Sequence, residues 1–335
     1  MSTSAFRTGL PLPGRDGRNA EPPVHHAGTP GAPVRVPGQF VHRSSAAEVM
    51  LMEWARTGDD RFTVTARWPH DHPFFTPVAG GYHDPLLGCE TIRQTGILLG
   101  HAAYGVPLGH QFVVWDLDIT VRPDQMATGH GPGPTILTAD AHCTQIHWRG
   151  RNLAGLRLGV VIRRDGETVA TGGGSLSCIS PAAYHRVRQG RVPSQDHTRP
   201  PRPADPRAVG RVSPHDVVLS PTDRTDHWLL RADTRHPVLF EHPGDHVPGM
   251  LLIEAARQAA ASSLGRASYL PLQISNTFAR YVELDAPCTV QATPLPGAQS
   301  QNPPNGHPEQ SVLVTAHQNG ETVFRSTVTT GAHHL

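Results

Sequence analysis

A polar group on an apolar run recurs in this chain at a fixed distance. Glu90-Thr91-Ile92-Arg93-Gln94 returns as Glu254-Ala255-Ala256-Arg257-Gln258, 164 positions on, and the same offset carries His72-Pro73 onto His236-Pro237. Solenoid repeats have periods of roughly 20 to 50 residues. An offset this long is a whole domain duplicated in tandem, and each copy keeps a Glu-x-x-Arg-Gln group on a hydrophobic helix. At 335 residues there is room for two such domains, each able to bury a core.

The rest of the chain divides around that repeat. Residues 1–38 are rich in Pro and Gly, lack periodicity and are expected to be disordered. The first copy is expected over 39–182, a Pro/Arg-rich linker over 183–210 and the second copy over 211–335. Pro85 to Tyr104 is nearly continuous apolar sequence, which predicts a buried helix stopped by Gly105 and Pro107. Gly249 to Leu264 is its counterpart, closed by Gly265. Strand-like segments follow each helix. The last pair in each copy turns at Asp165-Gly166 and at Asn319-Gly320, both hairpin signals. Short strands, one long buried helix and an antiparallel meander make an α+β layer architecture.

Composition excludes several classes. The formal charge is +1 and only 17% of residues are charged, so there is no field for nucleic acid or an anionic membrane surface. Cys89, Cys143, Cys178 and Cys288 form no Cys-x-x-Cys pair, which argues against zinc ribbons and disulfide scaffolds and fits a reducing cytoplasm. No apolar run reaches the length of a membrane span, and no secretory leader is visible. No metal and no cofactor are expected. His242 and His246 are four apart, but Pro243 and Gly244 argue against a helix between them.

On a helix, Glu90, Arg93 and Gln94 share a face, as do Glu254, Arg257 and Gln258. A carboxylate beside a guanidinium stays ionised and can serve as a base; a guanidinium offers a fork for phosphate or carboxylate. The competing reading is an ion pair that only fixes two buried helices. The helix starts, after His83-Asp84 and His246-Val247-Pro248, present free N–H groups that can polarise a thioester carbonyl, and Gly249 allows close approach. Candidate catalytic residues are therefore Glu90, Arg257, Glu254 and Arg93. Candidate substrate-binding residues are Gln94, Gln258, His83, His246 and Gly249.

The run Pro248-Gly249-Met250-Leu251-Leu252-Ile253-Glu254-Ala255-Ala256 resembles the central helix of hotdog dehydratases, in which a curved antiparallel sheet wraps one long helix. Two copies in one chain would be a tandem (double) hotdog. Those dehydratases carry a catalytic His fourteen positions before the helix Glu, where this chain has Thr76 and Phe240.

A wider set of motifs resembles the A-factor biosynthesis family of double-hotdog proteins. It comprises Val41-His42-Arg43, His72-Pro73-Phe74-Phe75, His83-Asp84-Pro85 through Gln94, Tyr104 through Phe112, and His242-Pro243-Gly244-Asp245-His246 through Gln258. The resemblance implies an enzyme that joins a β-ketoacyl group from a thioester, carried by acyl carrier protein or CoA, to the hydroxyl of dihydroxyacetone phosphate. Closure to a phosphorylated butenolide or furan would then give the precursor of a γ-butyrolactone-type signal controlling secondary metabolism. It also implies importance for Glu90 and Arg257. The protein is expected to be a monomeric double hotdog or a homodimer. Two alternatives are a 3-hydroxyacyl-thioester dehydratase or thioesterase, and a non-catalytic acyl-ligand binding module.

Overall fold

The structure is a computed structural model that describes residues 32–331, apart from 79, 130, 132, 192–199, 267 and 297–308. The first copy contains β1 (Val34–Arg35), β2 (Leu51–Gly58), β3 (Arg61–Trp68), α1 (Pro85–Ala102), β4 (Gln111–Val121), β5 (Thr135–Arg149), β6 (Asn152–Arg164) and β7 (Glu167–Ile179). A short helix, α2 (Pro181–Val187), leads out of it. The second copy contains β8 (Leu219–Pro221), β9 (His227–Leu230), α3 (Gly249–Ser263), β10 (Pro271–Phe278), β11 (Thr289–Pro294), β12 (Gln310–Gln318) and β13 (Glu321–Thr330).

All these strands form one antiparallel sheet, in the order β1-β2-β3-β5-β6-β7-β4-β10-β13-β12-β11-β9-β8. Read outward from the centre, the second copy repeats the first: β10-β13-β12-β11-β9-β8 mirrors β4-β7-β6-β5-β3-β2. The seam is β4 against β10, in a register that pairs Leu117 with Asn276 and Thr120 with Gln273. The first strand after each central helix thus pairs antiparallel with its counterpart, as in an isologous dimer. The Asn276 amide crosses the seam to donate to the Leu117 carbonyl at 2.8 Å.

The two long helices form where the apolar runs predict. Asp84 caps α1 through its side chain, which accepts from the Leu86 N–H, and Pro85 occupies the first turn. Nearly every residue of both helices is buried. Helix α1 reaches the sheet through glycine: a Cβ on Gly88 would lie 2.2 Å from Ile119, and one on Gly100 2.4 Å from Phe112. Asp165-Gly166 and Asn319-Gly320 both take positive φ at the two turn positions, as hairpin turns require.

The chain becomes regular earlier than expected. Val34–Arg35, inside the stretch read as disordered, pairs with Trp54 and Glu53 of β2, and Val36 is buried. Residues 1–31 of that stretch lie outside the described residues. The segment read as a linker is partly built into the fold: it contributes α2, a buried Arg188 and a buried Val209. Pro and Arg composition hid these contacts, because none of them has a local period.

Candidate functional site

In the first copy, Glu90 collects three side chains. Its Oε1 accepts from Arg43 (2.7 Å), Arg93 (2.8 Å) and Gln94 (2.7 Å), and its Oε2 from Arg93 Nε at 2.8 Å. Gln94 then bridges to the backbone, accepting from Met50 N–H and donating to Glu48 O. Burial works to raise the Glu90 pKa, but Arg43 and Arg93 outweigh it and hold the carboxyl well below the ordinary range. Glu90 is ionised and weakly basic.

The second copy repeats this pattern. Glu254 accepts from Arg211, Arg257 and Gln258, and Gln258 bridges Val218 N–H and Asp216 O. Here burial is again the largest influence and is outweighed, by Arg211 and Arg257, which hold Glu254 at about 2. The arginines Arg43 and Arg211 were missed as carboxylate partners from sequence. Their signal is a second repeat, Val41-x-Arg43 with Glu48-Val49-x-Leu51 against Val209-x-Arg211 with Asp216-Val217-x-Leu219, offset by 168 instead of 164. A four-residue length difference before His72 and His236 separates the two registers.

The copies differ in what lies over the arginines. Arg211 is covered: its guanidinium stacks 4.3 Å from the Phe74 ring centre and donates to Phe74 O at 2.6 Å. Arg257 is 1% exposed. At the repeat position of Phe74 stands Val238, and the smaller side chain leaves space above Arg43 and Arg93. A cavity of about 250 Å³ opens there. Its walls come from both copies: Arg43, Arg93, Ile97, Phe112 and Leu117 on one side, and Val238, His246, Gly249, Leu252 and Phe278 on the other. Glu241 clasps its edge across the copies, accepting from the Ser44 and Ser45 N–H groups.

The two helix starts also differ. Asp84 caps α1 at the closed site, whereas α3 begins after Pro248 with no side-chain cap. Pro248, Gly249 and Met250 line the cavity, so the first N–H groups of α3 and its dipole meet that space. A Cβ on Gly249 would lie 3.2 Å from Phe278.

Of the residues singled out from sequence, Arg93, His246 and Gly249 line the cavity. Glu90 lies directly behind Arg43 and Arg93. Gln94 and Gln258 are spent on backbone bridges. Glu254 and Arg257 lie in the closed site and do not line the cavity. Glu90 and Arg257 do not bond to each other: Glu90 bonds to Arg43, Arg93 and Gln94, and Arg257 to Glu254. His83 is buried against Trp68 and bonded to Thr135 Oγ1, away from the cavity; burial, with His70, lowers it to about 4.

Sequence reasoning gave no role to His42, which lines the cavity beside Arg43. It sits at φ 53°, a left-handed conformation that its counterpart Gly210 adopts at φ 70°. Its Nε2 meets His101 Nε2 at 2.9 Å, while His101 Nδ1 donates to Val106 O. Burial, then His101 and Arg93, lower His42 to about 4. Another cluster, His215, Asp216 and His236, has metal-like composition. However, His236 Nδ1 accepts from the Val238 and Leu239 N–H groups, so Nε2 carries the proton and faces Asp216 at 3.3 Å. His72 and Glu48 repeat the same latch in the first copy.

The sheet order and helix placement define a double hotdog, and among the described residues the cavity between its copies opens at the first Glu-Arg-Gln group and not at the second. The chain belongs to the A-factor biosynthesis hotdog domain family, whose model matches residues 25–180 and 193–333. It is 50% identical over 289 residues to a 2-oxo-3-(phosphooxy)propyl 3-oxoalkanoate synthase of Streptomyces virginiae, covering 86% of this chain and 95% of that one. It is 44% identical to a protein of the same name from Streptomyces griseus, covering 88% and 94%. A third such synthase, from Streptomyces coelicolor, is 42% identical, covering 88% and 90%.

Proposed function

We propose that this chain is a synthase that transfers a 3-oxoacyl group from a thioester to the hydroxyl of dihydroxyacetone phosphate, in the cavity between its two copies. The observation that carries this is the pairing of two guanidiniums, Arg43 and Arg93, with the uncapped start of α3 across one apolar-walled space. The synthases of the three relatives are named for the product such a transfer would give.

Each wall has a task in the reaction. Arg43 and Arg93 carry positive charge held in place by Glu90, and receive the phosphate of the triose. The N–H groups at Gly249 and Met250 receive the thioester oxygen as it becomes an oxyanion. Ile97, Phe112, Leu252 and Phe278 take the alkyl chain. Glu90 acts through the arginines as a positioning residue, since a carboxyl held so low and so fully bonded is a poor base. Glu254, Arg257 and Arg211 lock the copies together at the closed site. The thioester carrier is an acyl carrier protein or CoA. The ester product places an acidic carbon, flanked by two carbonyls, within reach of the triose ketone, which prepares ring closure to a butenolide or furan.

The test is to incubate the protein with dihydroxyacetone phosphate and 3-oxoacyl thioesters of several chain lengths, on both carriers, and follow products by mass spectrometry. A phosphate-containing adduct with release of free thiol is expected. Intact thioester in the presence of folded protein would overturn the proposal. A plain dehydratase is disfavoured at the site itself, because the positions where such enzymes carry histidine are the exposed Thr76 and the buried Phe240.

A further inference from the structure

We infer that His246 is the general base of the acyl transfer, with Asp245 fixing its tautomer and the inter-copy helix α2 fixing Asp245. The inference rests on the proposed synthase reaction and names the group that moves its proton.

His246 lines the cavity three residues before the start of α3, and its side chain is 31% exposed. Its Nδ1 lies 2.6 Å from Asp245 Oδ1. Asp245 is an ionised carboxylate: burial favours its neutral form, but hydrogen bonds from His246, Arg188 and Tyr184 outweigh burial and hold it well below the ordinary range. An ionised carboxylate only accepts, so the His246 proton is on Nδ1 and the lone pair is on Nε2. That is the arrangement of an imidazole prepared to take a proton, with a carboxylate behind it to stabilise the imidazolium.

The dyad is held from the segment between the copies. Tyr184 donates to Asp245 Oδ1 at 2.6 Å, and Arg188 Nε donates to Asp245 Oδ2 at 2.8 Å. Arg188 also holds Glu283 through two bonds and lies 4.3 Å from the Tyr281 ring centre. Tyr281 packs edge-on against His246. The Val247 N–H is fixed on Val282 O at 2.8 Å. None of this is a by-product of duplication: the repeat positions of Asp245 and His246 are Gly81 and Tyr82, at the closed site. The other titratable groups lining the cavity are His42, Arg43, Arg93, Glu241, His242, Arg280 and Tyr281. Of these, Glu241 is committed to Ser44 and Ser45.

In the reaction, His246 Nε2 takes the proton of the triose hydroxyl as that oxygen forms its bond to the thioester carbon. The tetrahedral intermediate collapses with cleavage of the C–S bond. The imidazolium returns the proton to the departing sulfur, so the thiol leaves neutral and the dyad is restored.

The decisive experiment compares wild type, His246→Ala and His246→Gln on dihydroxyacetone phosphate and a 3-oxoacyl thioester. Thermal melts and triose phosphate binding confirm that the variants are folded. kcat is expected to fall about 100- to 10,000-fold, with KM for the triose phosphate changed less than about threefold. Exogenous imidazole should restore part of the His246→Ala rate. The acid limb of the wild-type pH–rate profile should be missing from the residual activity. Tyr184→Phe, which removes one bond to Asp245, should shift that limb while leaving KM unchanged. A folded His246→Ala enzyme with kcat near wild type, or a loss confined to KM, overturns the inference and leaves the synthase reading standing. Wild-type protein that consumes no thioester overturns both.

Discussion

The two Glu-x-x-Arg-Gln groups draw on the same kinds of partner, two arginines and a glutamine each, and have different surroundings. At the second, Phe74 covers Arg211 and Asp84 fills the start of α1; at the first, Val238 and Pro248 occupy those positions and a cavity remains. The closed group is buried and tied to the other copy through the Arg211–Phe74 contact. The open group presents its arginines to a cavity of about 250 Å³. A duplicated motif therefore records the fold, and the residues that face it from the other copy decide whether it does chemistry.

The largest contrast should come from the arginines. Arg257→Ala leaves Glu254 buried with fewer partners and should cost about 3–5 kcal/mol of stability, measured by denaturant unfolding. Arg93→Ala, at a side chain 19% exposed on the open side, also takes a partner from Glu90 but should cost less stability than Arg257→Ala and lower kcat/KM by about 100-fold through the lost phosphate contact. If Arg93→Ala unfolds the protein while Arg257→Ala only slows it, the assignment of open and closed sites is reversed.

A second variant closes the open site by imitation. Val238→Phe places over Arg43 the ring that Phe74 places over Arg211. Turnover should drop by more than about tenfold with little change in melting temperature. Phe74→Val should create no second activity, since Tyr82 stands where His246 would be needed. Full activity in Val238→Phe would show that the Phe-to-Val difference is not what opens the site.

Acid should affect the molecule in two stages. The folded pKa values of His42 and His83 are both lowered to about 4, so the stability linked to their neutral forms is present above about pH 6.5 and lost as pH falls through 4. Glu90 and Glu254 are also lowered, Glu254 to about 2. Their contribution is full above about pH 4.5 and is lost as pH falls towards 2. Denaturant midpoints measured against pH should decline along both limbs. His42→Gly, which copies Gly210, should make the upper limb shallower, leaving the part due to His83, and relieve the left-handed strain. An unchanged upper limb would remove His42 from this account.

The smallest effect is expected at Gly249. Gly249→Ala adds a methyl 3.2 Å from Phe278 and should raise KM for the longer 3-oxoacyl thioesters by a few-fold, while shorter ones are little affected. Equal effects at all chain lengths would place the alkyl chain elsewhere.

Much of this was legible in the chain. The duplication, both buried helices, the meanders and their hairpin turns follow from apolar runs, Gly positions and a repeat at one offset, all of which are local. The Glu-Arg-Gln face is also local, because its members are three and four residues apart on a helix. Arg43 escaped because it lies 47 residues from Glu90 and its repeat has a different offset. Arg188 escaped because a Pro/Arg-rich segment has no period to announce a buried guanidinium. His42 escaped because a left-handed residue reveals itself only in the backbone.

The sequence by itself determined a pair of hotdog units, each with an ionised group buried on its central helix. Only the tertiary structure decided that one group is open and the other sealed. The reason is physical: burial at each site is set by side chains from the opposite copy, brought together by the β4–β10 seam, and no local pattern encodes the difference between a phenylalanine and a valine facing an arginine across it.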